Sequence, residues 1–502
     1  MSAATLAVPQ NDKREIWGWT MYDWANSAFS TTVVTVFLGP YLTEITKAAA
    51  DANGFVYLLG TPVKFDSYFA YCISASVLLQ VTFLPILGAL ADYSHMRKQL
   101  LMFFAILGSV ATIAMFGITD GWHWIAGLLF MIANVSFGAS IVFYNAYLPS
   151  IASEDKRDSV SSSGFAMGYA GGGLLLLINL LLFMFREKIG MDGALVARIS
   201  LASAGVWWIG FSLITFNTLR PRHAIRPLPQ GETYLSIGFR QLATLMEVPT
   251  WLVTTLMVLP LAIPVLMLIG IPIQLALLPG GGPIIVMIIF IARKARVLPE
   301  AMKYLGAYLL YNDGIQTVIA IAAIFAAQEL KMSSTNLILV ILMIQFVAFF
   351  GAHGFGWMAK RIGARNAVLV SLVIWSACVI YAYAGMRNPA VVAAVGVPQD
   401  QLEFWVLGFV IALVLGGSQA LSRSLFAQMI PKDQEAEFYS FYEISERGTS
   451  WLGTFVFGLV NQQFGSLRLG ILSIIFFFLI GLALLPLVKV DKAIQEGQQA
   501  SH

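Results

Sequence analysis

Two stretches of the sequence decide the fold: residues 88–98 read GALADYSHMRK, and residues 356–366 read GWMAKRIGARN. Glycine and basic residues recur in them at matched spacing, and each stretch follows a long apolar run. The residues that carry the pattern are Gly88, Asp92, Arg97 and Lys98 in the first copy and Gly356, Arg361, Gly363 and Arg365 in the second. The recurrence predicts an internal repeat, in which two halves of the chain share one architecture.

The composition around these stretches requires a membrane. Apolar residues make up 58% of the 502 positions, charged residues make up 11%, and the mean hydropathy is +0.77. So few charges cannot cover a water-facing surface. In a bilayer the backbone must satisfy its own hydrogen bonds in helices or a closed barrel, and the long apolar runs favour helices. We expect an all-α integral membrane protein that has the lipid bilayer as a partner.

Apolar runs of about 20 residues, the length that spans a bilayer, divide the chain into two lobes. Six runs fall in the first lobe, residues 1–219, and six in the second, residues 301–488. The predicted spans lie near 18–45, 67–91, 99–118, 123–148, 160–185, 197–219, 301–327, 334–358, 366–386, 402–425, 439–463 and 467–488. Residues 220–300 form a central linker, and residues 489–502 form a polar tail.

The central linker contains an additional apolar block at about 250–292. Three isolated prolines (Pro260, Pro264 and Pro272) and the run PGGGP at 279–283 interrupt it, and charged residues flank both ends. The block should therefore leave and re-enter the same side of the membrane as a hairpin. Two extra spans and a re-entrant or interfacial hairpin are both compatible with the sequence, because prolines permit broken helices.

The loops on the side of the two termini carry most of the Lys and Arg residues. Because positively charged loops face the cytoplasm, both termini are expected there, with the chain in the inner cell membrane.

Several classes of protein are excluded by the charge pattern and the reactive residues. Basic residues form short clusters between apolar runs rather than a stripe along a phosphate backbone, so no nucleic-acid partner is expected. Cys72 and Cys378 lie inside apolar runs without a partner at metal or redox spacing. None of the five histidines stands near a plausible nucleophile. We expect neither an enzyme nor a cofactor or metal, and a monomer is the expected form.

The first stretch resembles the loop motif of the major facilitator superfamily, Gly-x-x-x-Asp-Arg/Lys-x-Gly-x-Arg/Lys-Arg/Lys. Its glycine, acid and two basic residues match, whereas Tyr93 and His95 depart from the motif, and the second copy has Lys360 in place of the acid. The resemblance implies a transporter of two six-helix lobes. Asp92 at a helix end is predicted to act as a conformational latch: it pairs with arginines in one conformation and releases them in the other. The alternative is a positive loop with an incidental acid.

Six further stretches, spread over both lobes, resemble the vacuole effluxer family, which is named for a fungal autophagy-related amino-acid exporter. They are residues 22–29 (YDWANSAF), 143–149 (FYNAYLP), 160–169 (VSSSGFAMGY), 311–317 (YNDGIQT), 419–426 (QALSRSLF) and 445–453 (SERGTSWLG). The apolar block at 250–292 is not part of this resemblance. The resemblance implies the export of small solutes, which are amino acids in the fungal case.

Three ionisable residues at membrane depth mark the eleventh predicted span: Glu443, Glu446 and Arg447. Such residues are costly in a bilayer and are therefore functional candidates. Glu443 and Arg447 are four residues apart and can pair along one helix face. Glu446 points elsewhere, and Arg423 of the tenth span is its candidate partner. The functional interpretation is an arginine clamp for a substrate carboxylate with a proton-binding glutamate, and the alternative is a structural ion network.

Two aspartates occupy the first and seventh predicted spans. Asp23 and Asp313 could bind protons or a substrate amine, or they could be acids near a helix amino terminus, where the helix dipole favours them. Four amides are further candidates for substrate contact, although such groups more often bridge helices. They are Asn26, Asn145, Gln316 and Gln419.

Two patterns have simple packing interpretations. Aromatic residues at the entrance of the first span predict an interfacial belt, with an aromatic cage for substrate as the alternative, and they are Trp17, Trp19, Tyr22 and Trp24. Glycines in the fifth span resemble a motif of superfamily antiporters but are explained by close helix packing, and they are Gly164, Gly168, Gly172 and Gly173.

The sequence therefore predicts a secondary transporter of small-molecule substrates that works by alternating access, exports amino acids as the leading class and uses protons as the candidate coupling ion. An exporter of drugs, sugars or lipid-like solutes is the second hypothesis. A membrane sensor that keeps the scaffold without transport is the third, and the paired loop motifs argue against it.

Overall fold

Long apolar helices dominate the computed structural model of the chain, as the sequence predicts. The structure describes residues 10–58, 60–65, 68–93, 96–221, 233–262, 282–385, 391–392, 397–432 and 466–500, short pieces between 434 and 464, and residues 266 and 269. In this part of the chain, ten helices are long and apolar enough to cross a membrane. The all-α membrane fold is confirmed.

The first lobe contains the six predicted spans. Its helices are α1 (Lys13–Ala28), a π-helix (Phe29–Phe37), α2 (Leu38–Ala48), α3 (Tyr68–Tyr93), α4 (Arg97–Ala114), α5 (His123–Ile151), α6 (Arg157–Phe185) and α7 (Gly193–Thr218). The first three form one continuous span. A short antiparallel hairpin, β1 (Phe55–Leu58) and β2 (Thr61–Lys64), joins this span to α3.

The first span changes its helical period next to Pro40. A proline lacks an N–H and clashes with the carbonyl four residues before it. A π-helix, whose hydrogen bonds join residues five apart, accommodates the missing hydrogen bond. Accordingly, the N–H of Leu38 donates to the carbonyl of Val33. The first span is therefore wound differently on either side of its middle, and Asp23 lies in the regular α1 part.

The central linker forms three short helices, the last two of which lie in the predicted apolar block at about 250–292. They are α8 (Tyr234–Leu245), α9 (Thr250–Val258, extended by a 3-10 turn at Leu259–Ala262) and α10 (Gly282–Lys294). α8 packs on α3 of the first lobe, and α9 packs on α10. Each is shorter than the roughly 20 residues of a span, and most of residues 263–281 lie outside the described part. The choice between two spans and a hairpin stays a prediction.

The second lobe repeats the plan of the first. Its helices are α11 (Pro299–Gln328), α12 (Ser334–Ile362), α13 (Ala364–Ala384), α14 (Gln399–Met429), α15 (Leu467–Ser473) and α16 (Ile475–Leu484). A pair of two-residue strands, β3 (Val391–Val392) and β4 (Val397–Pro398), precedes α14. α11 is the predicted seventh span, and α15 and α16 together form the twelfth. Most of the predicted eleventh span, 439–463, lies outside the described residues.

The lobes meet where α6 packs against α12 and α14. The Oγ of Ser161 donates to the carbonyl of Ala420 at 2.9 Å, and the guanidinium of Arg157 donates to the carbonyl of Ala427 at 3.1 Å. The Nε2 of Gln428 donates to Asp158 at 3.2 Å. These contacts lie in the half of the bundle nearest the two termini, so the structure is closed at that end.

The last helix, α17 (Val490–Gln499), lies across this closed end. Gly497 approaches the backbone of Met429 so closely that an added Cβ would lie 2.6 Å from its carbonyl oxygen. Gln498 reaches the first lobe and donates to Glu154 at 3.3 Å. The polar tail therefore begins as a helix that touches both lobes.

Candidate transport site between the lobes

Arg423 lies at the centre of the contact between the lobes. It projects from α14 and is 3% exposed. Its Nε donates to the hydroxyl of Ser161 at 2.9 Å, and its Nη2 donates to the Ser161 carbonyl at 2.8 Å. Its Nη1 faces the amide oxygen of Asn145 at 3.3 Å. Because every nitrogen of the guanidinium has a partner in the first lobe, this cation holds the lobes together.

Asp23 supplies the opposite charge. Its Oδ2 lies 3.4 Å from Nη1 of Arg423, and the two side chains are 10% and 3% exposed. The hydroxyl of Tyr144 donates to the same Oδ2 at 2.7 Å. The three residues belong to α1, α5 and α14, so the ion pair connects both lobes. Removing one partner of a buried pair is strongly destabilising, by about 3–5 kcal/mol.

Aromatic rings enclose the ion pair. The guanidinium of Arg423 lies over the ring of Phe165 at 4.1 Å and over that of Trp19 at 5.0 Å. Trp19 stacks on Tyr144 with ring centroids 4.3 Å apart, and its indole N–H donates to the Tyr144 carbonyl at 2.9 Å. Cation–π contacts of this kind gain strength when water is excluded. The site therefore combines the guanidinium of Arg423, the carboxylate of Asp23 and the aromatic rings that surround them.

A glycine makes the ion pair possible. A Cβ on Gly164 would lie 2.6 Å from Oδ2 of Asp23 and 2.9 Å from Nη2 of Arg423. Gly168 similarly admits Ser27 of the first span. Both glycines therefore allow close helix packing, as the sequence predicts. Gly164 in addition leaves space for the charged groups of Asp23 and Arg423 to approach each other.

The first copy of the repeated motif also crosses the boundary between the lobes. Nη2 of Arg97 lies 3.4 Å from Oε2 of Glu435, which follows α14. Lys98 donates to the carbonyl of Leu219 at 2.7 Å, within the first lobe. Gly88 is buried in α3, and the side chain of Asp92 lies outside the described part. The latch role of Asp92 stays a prediction, whereas Arg97 does contact the other lobe.

The second copy is arranged differently. Gly356 faces α6, where an added Cβ would lie 2.7 Å from Oγ of Ser162. Arg361 stacks on Trp357 at 4.0 Å, and Arg365 donates to the carbonyl of Val488 at 2.9 Å. Gly363 joins two helices with a φ of +82°, a conformation that favours glycine. Arg361 and Arg365 thus contact their own lobe, whereas Gly356 meets α6 and Lys360 interacts electrostatically with Asp158 of the first lobe.

The remaining candidates from the sequence are spread along the bundle. Gln419 accepts a hydrogen bond from Tyr169 across the lobes at 2.6 Å. Asn26 is buried one turn beyond Asp23, Gln316 is half-buried, and Asp313 is buried in α11. Glu443, Glu446 and Arg447 lie outside the described residues, so their roles stay predictions. Arg423 pairs with Asp23, whereas the sequence analysis proposed Glu446 as its partner.

Three features of the site differ from the sequence-based predictions or were not part of them. The expected interfacial aromatic belt is wrong for Trp19 and Tyr22, which are fully buried, whereas Trp17 is 49% exposed. Tyr144 and Ser161 were not singled out, although both lie within stretches that resemble the effluxer family. Glu435 was missed as well. It is a helical residue six positions beyond the end of α14, and no motif of the sequence marks it.

Comparison with known proteins agrees with this architecture. The sequence model of the family described as "Vacuole effluxer Atg22 like" matches residues 11–260 and 285–498. The unmatched internal residues, 261–284, lie within the additional apolar block. An uncharacterized MFS-type transporter of Bacillus subtilis, YxiO, is 26% identical over 484 residues, which cover 96% of each chain. Autophagy-related protein 22 of Coccidioides immitis is 24% identical, over 98% of this chain and 89% of its own.

Solved structures share the fold at low sequence identity. The proton:xylose symporter XylE of the major facilitator superfamily gives a TM-score of 0.61 at 11% identity, over 97% of this chain and 96% of its own. The human organic anion transporter MFSD10 gives 0.59 at 14% identity, over 95% and 100%. The family and the fold are those of transporters and not of enzymes. The chain thus belongs to the vacuole effluxer Atg22-like family and is a multi-pass membrane transporter of the major facilitator type.

Proposed function

We propose that this transporter exports small zwitterionic solutes, with amino acids as the leading class, across the inner cell membrane, and that both termini are cytoplasmic. The family description supports the direction of transport, and the distribution of basic loops supports the orientation. In this orientation the structure is closed on the cytoplasmic side, because the contacts between the lobes lie near the termini.

The observation that carries the proposal is the buried ion pair of Asp23 and Arg423. An amino acid carries a carboxylate and an ammonium group, and the pair offers one cation and one anion to receive them. Arginine binds carboxylates with two parallel hydrogen bonds. In the closed state the carboxylate of Asp23 pairs with the guanidinium of Arg423, and in the opposite state the substrate carboxylate replaces it.

The energetics link substrate binding to the change of state. Separating a buried ion pair without replacement costs about 3–5 kcal/mol, so the empty carrier resists opening. A zwitterion that binds both Asp23 and Arg423 removes this cost. It thereby favours the open state, because a ligand shifts an equilibrium by its difference in affinity for the two states. Transport against a gradient additionally requires an energy source, and we propose a coupling cation, with protons as the first candidate.

Counterflow of radiolabelled amino acids into liposomes that contain the purified protein tests this proposal. Asp23→Asn and Arg423→Gln should each lower the rate at least tenfold while the protein stays folded. Arg361→Gln is the matched control, because Arg361 contacts Trp357 within its own lobe. Near wild-type rates in both variants would refute the site. Counterflow by drugs or sugars with indifference to amino acids would refute the substrate class.

A further inference from the structure

Asp313 is a buried carboxylate that the ion pair between the lobes does not use. It lies in α11 and is 1% exposed. Its Oδ2 accepts a hydrogen bond from the backbone N–H of Gly453 at 2.8 Å. Among the described residues, its Oδ1 has no hydrogen-bond partner, and no cationic side chain acts on the carboxylate. Half of this carboxylate is therefore unsatisfied.

A second unsatisfied oxygen lies one helical turn further on. Thr317 is fully buried, and its Oγ1 also has no hydrogen-bond partner in the part of the chain that the structure describes. A Cβ on Gly453 would lie 2.1 Å from Oγ1 of Thr317 and 3.2 Å from Oδ2 of Asp313. Residues four apart share one helix face, so both side chains point at the same place. Gly453 packs against both side chains so closely that any larger residue at this position would collide with Thr317.

Such an arrangement needs a positive charge. An ionised carboxylate that leaves water without a cation is costly, and most buried polar atoms in proteins have a partner, so each exception requires an explanation such as an ion. The N–H of Gly453 compensates one oxygen and leaves Oδ1 and the threonine hydroxyl. A small cation beside Oδ1, or a proton bound to it, would satisfy the site.

We propose that Asp313 and Thr317 form the binding site of the coupling cation, either Na⁺ held by their oxygens or a proton carried on Asp313. The proposal rests on the proposed function, because it names the ion that energises the same transport. The two ions share one chemistry, the neutralisation of Asp313. They differ in that Na⁺ requires the hydroxyl of Thr317 as a ligand, whereas a proton does not.

A short chain of contacts connects this site with Arg423. Tyr311, two residues before Asp313, shares a hydrogen bond of 2.6 Å with Oγ of Ser422, and Tyr304 donates to the Ser422 carbonyl at 2.8 Å. Ser422 is the neighbour of Arg423 on α14. A shift of α11 that accompanies cation binding would therefore reach the helix that carries the arginine.

The experiment compares two modes of transport in liposomes. Gradient-driven accumulation requires the coupling cation, whereas exchange of internal for external substrate does not require its release. Asp313→Asn mimics the neutralised carboxyl and keeps an acceptor for Gly453, so it should lose driven accumulation at least tenfold and retain exchange. Driven accumulation by this variant would overturn the proposal. The proposal would also be overturned if the variant lost exchange as well as accumulation while its melting temperature stayed unchanged.

The ion is identified by imposing a pH gradient without Na⁺ in one arm and a Na⁺ gradient at equal pH in the other. Thr317→Val should abolish accumulation driven by Na⁺ and leave accumulation driven by protons intact. Thr112→Val is the matched control, because Thr112 is buried and bonds to its own helix at Gly108.

The wild-type protein gives a test that does not depend on any variant. If it exchanges substrate but neither gradient drives accumulation, the cation site is wrong and the transport function stands. If it exchanges no amino acid, the proposed function fails first, and the gradients are then tested with the solute that does exchange.

Discussion

Arg97 and Glu435 join the two lobes through an ion pair in which both side chains are 6% exposed and the charged atoms lie 3.4 Å apart. Arg97 comes from the first copy of the repeated motif and also donates to the carbonyl of Ala146 in its own lobe at 3.2 Å. The motif thus takes part in closing the end of the bundle that carries the termini.

Breaking this pair should favour the state that is open at the terminal end. Glu435→Gln removes one charge of a buried pair, which destabilises the closed state by about 3–5 kcal/mol. A cysteine at position 428, in a chain whose Cys72 and Cys378 are replaced by alanine, should then react faster with a water-soluble maleimide. Arg361→Gln, which leaves the boundary between the lobes intact, should not change the rate. Equal rates in all three proteins would contradict the role of Glu435.

Gly164→Ala should disrupt the ion pair of Asp23 and Arg423, because the new Cβ would lie within 3 Å of both charged groups. Overpacking of this kind costs about 1–3 kcal/mol, and the transport rate should fall with the melting temperature. Gly306→Ala, in the middle of α11 with nothing within 4 Å of its Cβ, is the matched control. It should be neutral or stabilising, since alanine is the better helix former by about 1 kcal/mol. Similar losses in both variants would argue against a specific need for Gly164.

A cross-link between residues 162 and 356 should stop transport. These residues belong to different lobes, and a Cβ at 356 would lie 2.9 Å from the Cβ of Ser162, somewhat closer than the roughly 3.5–4.5 Å of a disulfide. Ser162→Cys with Gly356→Cys, in the chain without native cysteines, should lose transport on oxidation and regain it on reduction. Each single cysteine variant is the control. Full transport by the oxidised, cross-linked protein would show that the lobes need not separate here.

Phe290→Ala should loosen the central linker from the second lobe. Phe290 is fully buried in α10, and its ring stacks on Phe441 with centroids 3.6 Å apart. Truncating a buried phenylalanine costs about 3–5 kcal/mol, so the melting temperature should fall. Ile288→Ala is the control, since Ile288 is 59% exposed on the same helix. An unchanged melting temperature in Phe290→Ala would mean that Phe290 does not hold the linker to the second lobe.

The sequence predicts the helices well because membrane spans are local patterns. Ten apolar helices of the described residues coincide with ten of the twelve predicted spans, whereas the bounds of the lobes stay a prediction. The additional block at 250–292 is less predictable, because its prolines and glycines are compatible with short helices as well as with spans. α9 and α10 are such short helices within it.

The pairing of charges between the lobes is not a local pattern. Asp23 and Arg423 are 400 residues apart, and helix periodicity does not say which face of one lobe meets the other. The sequence analysis therefore chose Glu446 as a partner of Arg423 from the neighbouring span. The same limit explains Trp19, whose position near a span entrance suggests an interface although its ring contacts Arg423.

The central claim is that Arg423 receives the substrate carboxylate, and ligand-induced thermal stabilisation tests it most directly. Purified wild-type protein and Arg423→Gln are compared with free amino acids and with their methyl esters, which lack the carboxylate. A ligand at a hundred times its Kd stabilises by about 2.7 kcal/mol, so the wild-type melting temperature should rise with free amino acids and not with esters, and the variant should lose this rise. An equal rise in the variant, or with the esters, would contradict the claim.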